Sequence, residues 1–69
     1  MSFKYVSDVE AEFLVSTCQE ALDRQLKLEL KQSHDIGYFE INVSTNEKEK
    51  LVSFVEEIMS DNVEQIKEV

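Results

Sequence analysis

The chain has 69 residues, of which 15 are Asp or Glu and 7 are Lys or Arg, so its formal net charge is −8. This length predicts one domain over residues 1–69, and an apolar content of 42% argues against intrinsic disorder. The single cysteine excludes an intrachain disulfide, and the longest apolar run, residues 13–15, is far shorter than the ~20 residues of a membrane span.

The N-terminal segment shows a short alternation, in which Phe3 and Tyr5 alternate with Lys4 and Val6. This pattern is typical of a short strand at the edge of a sheet, and it is also compatible with a loose tail. With one Lys and no apolar stretch, the segment carries no sign of a secretory signal.

An amphipathic helix is predicted next, from a start at residues 7–10 to about Arg24. Its start matches a capping box, because Ser7 precedes Glu10 by three residues and each side chain can bond a backbone N–H at a helix start. The predicted core face holds the apolar residues at helical spacing, namely Ala11, Leu14, Val15, Cys18, Ala21 and Leu22.

Two alternating segments then predict an antiparallel hairpin. Apolar residues occupy every second position in both: Leu26, Leu28 and Leu30, then Phe39, Ile41 and Val43. The only glycine, Gly37, lies between the segments, where a hairpin loop requires a positive φ. A register with Lys31 opposite Glu40 places charged residues on one face and pairs the apolar ones on the other, with Leu30 opposite Ile41 and Leu28 opposite Val43.

A second helix is predicted after another capping box at residues 44–47. Its apolar stripe consists of Leu51, Val55, Ile58, Met59 and Ile66. Asn62 falls within this stripe, so either the helix breaks at residues 60–62 or a polar group is buried; the absence of Gly and Pro favours an unbroken, frayed helix. The expected fold is a small α+β domain, ordered α-β-β-α or β-α-β-β-α, with the hairpin packed against two helices.

Few residues are candidates for catalysis or metal binding. Cys18 lies on the predicted apolar face, where a thiol is usually inert, and His34 lies in the hairpin loop and is expected to face solvent. These two residues are on different elements, which argues against a metal site, and one glycine cannot form a phosphate-binding loop. We therefore expect no catalytic residues, no cofactor, no metal and no enzymatic activity.

Two surface features are candidates for binding a partner. The first is the pair Val9 and Phe13, one helical turn apart and opposite the core face; the alternative is that the N-terminal segment covers it. The second is an acidic stripe on the second helix, spaced 4, 3 and 4 residues: Glu57, Asp61, Glu64 and Glu68. Its carboxylates would lie ~5–6 Å apart, as phosphates do along a nucleic-acid strand, unless the stripe is an ordinary solvated face.

The leading functional hypothesis is a small cytoplasmic protein that regulates or inhibits another protein by binding it, as a phage- or mobile-element-encoded modulator would. The acidic charge and the scattered basic residues disfavour direct binding to nucleic acid or to an anionic membrane. One alternative is a nucleic-acid mimic that blocks a DNA- or RNA-binding enzyme through the acidic helix face. The other is a purely structural subunit whose role is self-assembly. A homodimer is the expected assembly under every hypothesis, because a small sheet leaves an open edge that two hairpins can close by pairing across a two-fold axis.

Overall fold

The computed structural model describes residues 1–69 and shows a four-stranded antiparallel sheet with two helices packed on one face, which is a small α+β fold. The elements are β1 (Phe3–Glu10), α1 (Ala11–Asp23), β2 (Lys27–Gln32), β3 (Tyr38–Thr45), α2 (Lys48–Ser53), a π-helical turn (Phe54–Ile58), a 3-10 turn (Val63–Gln65) and β4 (Lys67–Glu68). The strand order across the sheet is β2-β3-β1-β4.

The predicted hairpin is confirmed as β2 and β3. Lys31 pairs with Glu40, Leu30 with Ile41 and Leu28 with Val43, which is the expected register. Gly37 has a φ of 85°, the left-handed conformation that the loop between the strands requires. The alternation of apolar and charged residues therefore determined both the pairing and the face that is buried.

The N-terminal strand exists, but the prediction of an edge strand is wrong. β1 is eight residues long and lies inside the sheet, between β3 and β4. Its burial alternates along its length, with Tyr5 and Val9 buried against the helices and Val6 and Asp8 on the open face. This period of two continues to Glu10, so the strand includes the residues that were assigned to the start of the helix.

The prediction of a capping box at Ser7 is therefore wrong. Ser7 and Glu10 are strand residues, and no side chain caps the start of α1. The backbone N–H of Ala11 instead donates to the carbonyl oxygen of Gly37 at 2.8 Å. A contact with the hairpin loop thus satisfies the first backbone donor of α1, and no local side chain does so.

Helix α1 is confirmed, but its buried face differs from the predicted one. Ala21 and Thr17 are buried, whereas Val15 is 81% exposed and Leu22 is 56% exposed. One flank of α1 faces the π-helical turn, and this contact turns the residues around Thr17 toward the protein interior. The opposite flank, which carries Val15 and Leu22, is left at the surface.

The prediction of a long second helix is wrong. The second capping box is also wrong, because Ser44 belongs to β3 and no side chain caps helix α2, which begins at Lys48. Residues 54–58 then form a π-helical turn. The chain reverses at Ser60, which has a φ of 52°, and the side chain of Asn62 accepts a hydrogen bond from the N–H of Glu64 at 2.9 Å. The helix therefore breaks at residues 60–62 without Gly or Pro, and the last residues form β4 beside β1.

The core lies between the sheet and the helices. It contains nine buried hydrophobic residues: Tyr5, Val9, Ala21, Leu26, Ile41, Val43, Leu51, Phe54 and Val55. The three residues from α2 and the π-helical turn show that the irregular C-terminal third contributes directly to this core.

Candidate interaction surfaces

A groove separates α1 from the π-helical turn. Its open volume is about 290 Å³, and it is lined by Phe13, Ser16, Thr17, Glu20, Glu57 and Ile58. Phe13 is 52% exposed and provides the largest apolar surface in the groove, next to the partly buried Ile58. The structure thus brings together Phe13 and Glu57, which the sequence placed in two separate candidate features.

Arg24 links the two elements that form this groove. Its guanidinium group lies 2.9 Å from a Glu20 carboxylate oxygen and 3.6 Å from one of Glu57. A hydrogen bond from Ser53 to the Glu57 carboxylate, followed by the charge of Arg24, holds the pKa of Glu57 below its usual range. The Glu57 carboxylate is therefore ionised near neutral pH, and it places a negative charge in the groove beside Phe13 and Ile58.

The predicted apolar pair of Val9 and Phe13 is not a pair. Val9 is buried in β1 opposite Phe39, whereas Phe13 is exposed on α1. The two residues belong to different elements because β1 extends to Glu10. Val9 is therefore a core residue, and only Phe13 is placed to contact a partner.

The acidic stripe is also not a helical stripe. Its four residues lie in different local structures: Glu57 in the π-helical turn, Asp61 after Ser60, Glu64 in the 3-10 turn and Glu68 in β4. The helical spacing on which the mimicry hypothesis rested is therefore wrong, and mimicry itself stays a prediction.

Asp61 has a structural role that the sequence did not indicate. The hydroxyl group of Tyr5 donates a hydrogen bond to its carboxylate at 2.7 Å, which lowers the pKa of Asp61. Burial, then the hydrogen bond to Asp61, raises the pKa of Tyr5 to about 12. This contact ties the segment after the helix break to the centre of the sheet.

A second apolar surface lies on the other side of α1, next to β2. Val15, Cys18 and Leu22 are spaced 3 and 4 residues apart and so share one flank of the helix, opposite the groove. On β2, Leu30 faces the helices and is 49% exposed, because no element covers the outer side of this strand. We call this surface the α1–β2 flank; its members belong to the apolar faces that the sequence predicts to be buried.

The open face of the sheet carries a row of lysines. Lys27 and Lys4 both pair with Ser44, and Lys4 also pairs with Lys67. The three lysines therefore lie in one row across the four strands, with Ser44 between Lys27 and Lys4. None of them forms an ion pair. These basic residues are scattered in the sequence but grouped in space, and only the strand register could have shown this lysine row.

The remaining candidates stay isolated. Cys18 is half-buried on α1, where burial raises the pKa of its thiol, and His34 is exposed in the hairpin loop. No group of three or more His, Cys, Asp and Glu side chains is arranged to hold a metal ion. None of the helices combines the length and the apolar character needed to cross a membrane.

Comparisons with known proteins give no match, whether with protein-family models, with curated proteins or with solved structures.

Proposed function

We propose that this chain is a non-enzymatic regulator or inhibitor that acts in the cytoplasm by binding another protein. The observation that supports this proposal best is the groove between α1 and the π-helical turn, where the exposed ring of Phe13 lies beside the ionised Glu57. Aromatic side chains are enriched among the residues that contribute most to protein interfaces.

The chemistry of the groove indicates what its partner presents. An apolar side chain would bury the exposed surface of Phe13 and Ile58, while a Lys or Arg next to it would meet the carboxylates of Glu20 and Glu57. Since Arg24 already shares these carboxylates, the partner's cation adds to an existing charge network. We therefore propose a segment that combines an aliphatic or aromatic residue with a basic one.

The test is affinity capture from a lysate of the source cell or its host, with elution on a salt gradient and identification of the proteins by mass. We expect Phe13→Ser to abolish capture of a stoichiometric partner and Glu57→Gln to release it at lower salt. Ile36→Ser is the matched control, because Ile36 is a fully exposed apolar residue in the hairpin loop, away from the groove. A partner that binds the Phe13→Ser and Ile36→Ser variants equally well would contradict the proposal.

The same experiment tests mimicry of nucleic acid. A mimic would capture a nucleic-acid enzyme that elutes at modest salt, and changing Glu57, Asp61, Glu64 and Glu68 to Gln or Asn would abolish the capture. Binding that survives this quadruple change would exclude mimicry.

A second candidate function is a self-assembling structural subunit, and the open outer edge of β2 favours it. Sedimentation at micromolar concentration tests it: a dimer is expected, and a monomer would exclude a role in self-assembly.

A further inference from the structure

Strand β2 has a neighbour on one side only. It pairs with β3 over six residues, and no strand or helix lies beyond its outer edge. The outward backbone N–H and C=O groups of such a strand are a template for another strand. The opposite edge of the sheet differs, because β4 covers the beginning of β1 there.

The sequence of β2 is symmetric in charge, reading Lys27, Leu28, Glu29, Leu30, Lys31. If two copies pair antiparallel about Leu30, each Glu29 lies opposite the partner's Lys31, and the two Leu30 side chains face each other. Centring the pair on Glu29 instead would place the two Glu29 carboxylates opposite each other. Charge thus favours a register centred on a leucine.

The strand boundaries distinguish between the two leucine-centred registers. A pair centred on Leu30 uses residues 28–32 of each copy, all of which lie within β2. A pair centred on Leu28 has only residues 27–29 within the strand, since Leu26 precedes β2 and is buried in the core. The longer pairing forms more backbone hydrogen bonds, so it is the favoured one.

The α1–β2 flank provides apolar surface for the same contact. Leu30 projects from the helix side of β2, and Val15 and Leu22 extend the exposed apolar surface along α1. Paired strands lie ~4.8 Å apart and packed helices lie ~8–10 Å apart, so helices set back from the joined edge can pack against each other. A two-fold axis through the strand pair would therefore bury both the leucines and the exposed flank of α1.

We propose that the α1–β2 flank binds a second copy of this chain, with β2 pairing antiparallel to itself about Leu30 to form one continuous eight-stranded sheet. This inference rests on the self-assembly put forward above as the second candidate function, and it adds the interface and the register. The groove on the other flank of α1 remains open in such a dimer, so it does not compete with the binding of a different partner.

Charge exchange within β2 is the first test, with the dimer dissociation constant measured by sedimentation equilibrium. Glu29→Lys and Lys31→Glu should each weaken the dimer about tenfold, because each change places two like-charged pairs in the interface. The double variant should return to within about threefold of the unchanged chain, because the pairs are opposite in sign again. Lys31 also pairs with Glu40 within the chain, so Lys31→Glu changes this intrachain pair as well. The double variant carries the same intrachain change, so recovery of its dimer affinity reports on the interface.

Lys27→Glu is the matched control, since Lys27 lies on the same face of β2 but has no partner within β2 in this register. Its dissociation constant should be unchanged. A second measurement uses Leu30→Cys in a Cys18→Ser background, which should form a disulfide-linked dimer on oxidation because the two Leu30 positions are opposite each other. The same change at Leu28 should not form this link.

The outcomes separate the interface from self-assembly itself. An unchanged chain that sediments as a monomer overturns both. A dimer that tolerates Glu29→Lys and Lys31→Glu overturns this interface and leaves self-assembly standing. A dimer that is weakened by Lys27→Glu overturns the Leu30 register in favour of one centred on Leu28.

Discussion

The two parts of the chain, residues 3–45 and residues 46–69, form the same core in different ways. The first part consists of long regular elements, three strands and one helix, joined by short connections. The second part contains a six-residue helix, a π-helical turn, a reversal at Ser60, a 3-10 turn and a two-residue strand. Irregular segments of this chain therefore contribute to the core, as the regular strands and helix do.

The two parts differ in the interactions that determine their structure. In the first part, the strand register follows the alternation of the sequence itself. In the second part, local hydrogen bonds such as that between Asn62 and Glu64 are supplemented by contacts with the first part, such as that of Asp61 with Tyr5. The second part should thus depend on the first. Four substitutions test the two parts and the contact between them, from the largest expected effect to the smallest.

Phe54→Ala should have the largest effect, because it removes a fully buried ring that the irregular part contributes to the core. A loss of ~3–5 kcal/mol in the free energy of unfolding is expected, a large share of the stability of a domain this small. Urea denaturation measures it, and Phe54→Leu provides a milder change if the alanine variant does not fold. A loss below ~1 kcal/mol would show that the C-terminal part is not integrated into the core.

Gly37→Ala tests the regular part at its tightest turn. The glycine has a φ of 85°, where an alanine is strained although no atom lies within 4 Å of its added carbon. We expect a loss of ~1–2 kcal/mol from backbone strain alone. Thermal unfolding measures it, and an unchanged midpoint would mean that the loop readjusts without cost.

Tyr5→Phe removes the hydroxyl group that joins the two parts. The ring remains, so the expected loss is roughly 1 kcal/mol, the net value of one hydrogen bond. Urea denaturation at neutral pH measures this loss, and the pH dependence of stability gives a second reading of the same contact. If the variant is as stable as the unchanged chain, Asp61 does not anchor the C-terminal part.

The hydrogen bond between Tyr5 and Asp61 affects stability at both ends of the pH range. Burial, then the hydrogen bond to Asp61, raises the pKa of Tyr5 from 10 to about 12, so the contribution of Tyr5 to stability is complete below pH 10 and is lost as the pH rises through about 12. The pKa of Asp61 is lowered from 3.8, so its contribution is complete above pH 3.8 and is lost as the pH falls through its lower folded value. Tyr5→Phe should flatten both dependences, as measured by unfolding at a series of pH values.

Ser60→Gly should have the smallest effect, and a favourable one. Ser60 has a φ of 52°, a conformation that glycine adopts without steric cost, although glycine also loses more backbone freedom on folding. A net gain of roughly 0.5 kcal/mol is expected, measurable as a higher unfolding midpoint. A loss of stability would indicate that the serine side chain has a role that its geometry does not show.

The sequence predicted those features that depend on period and charge. The hairpin, its register and the loop at Gly37 followed from alternation, and the α+β class followed from the mixture of periods. The capping boxes were misleading because Ser7 and Ser44 lie at the ends of alternating segments, which extend through them as strands. Local propensity was overridden at these positions by pairing with β3 and β1.

The candidate site was harder to predict because it depends on tertiary placement. Phe13 and Glu57 are 44 positions apart in the sequence, and only the packing of α1 against the π-helical turn brings them together. The exposure of Val15 and Leu22 could not be read from helical periodicity, which gives an apolar face but not the direction in which it points. The break at Ser60 had no Gly or Pro signal and is explained by the contacts around it.

The lysine row gives the molecule an uneven electric field. On the open face, three carboxylates and one lysine lie toward the hairpin loop, namely Asp8, Glu10, Glu40 and Lys31, so this end has a net negative charge. Lys4, Lys27 and Lys67 lie toward the other end. Lys4 and Asp8 lie four positions apart along β1, a distance of ~13 Å. This distance exceeds the Debye length of ~8 Å at physiological salt. An approaching charged molecule therefore meets two patches of opposite sign, and the resulting torque orients this acidic protein before contact.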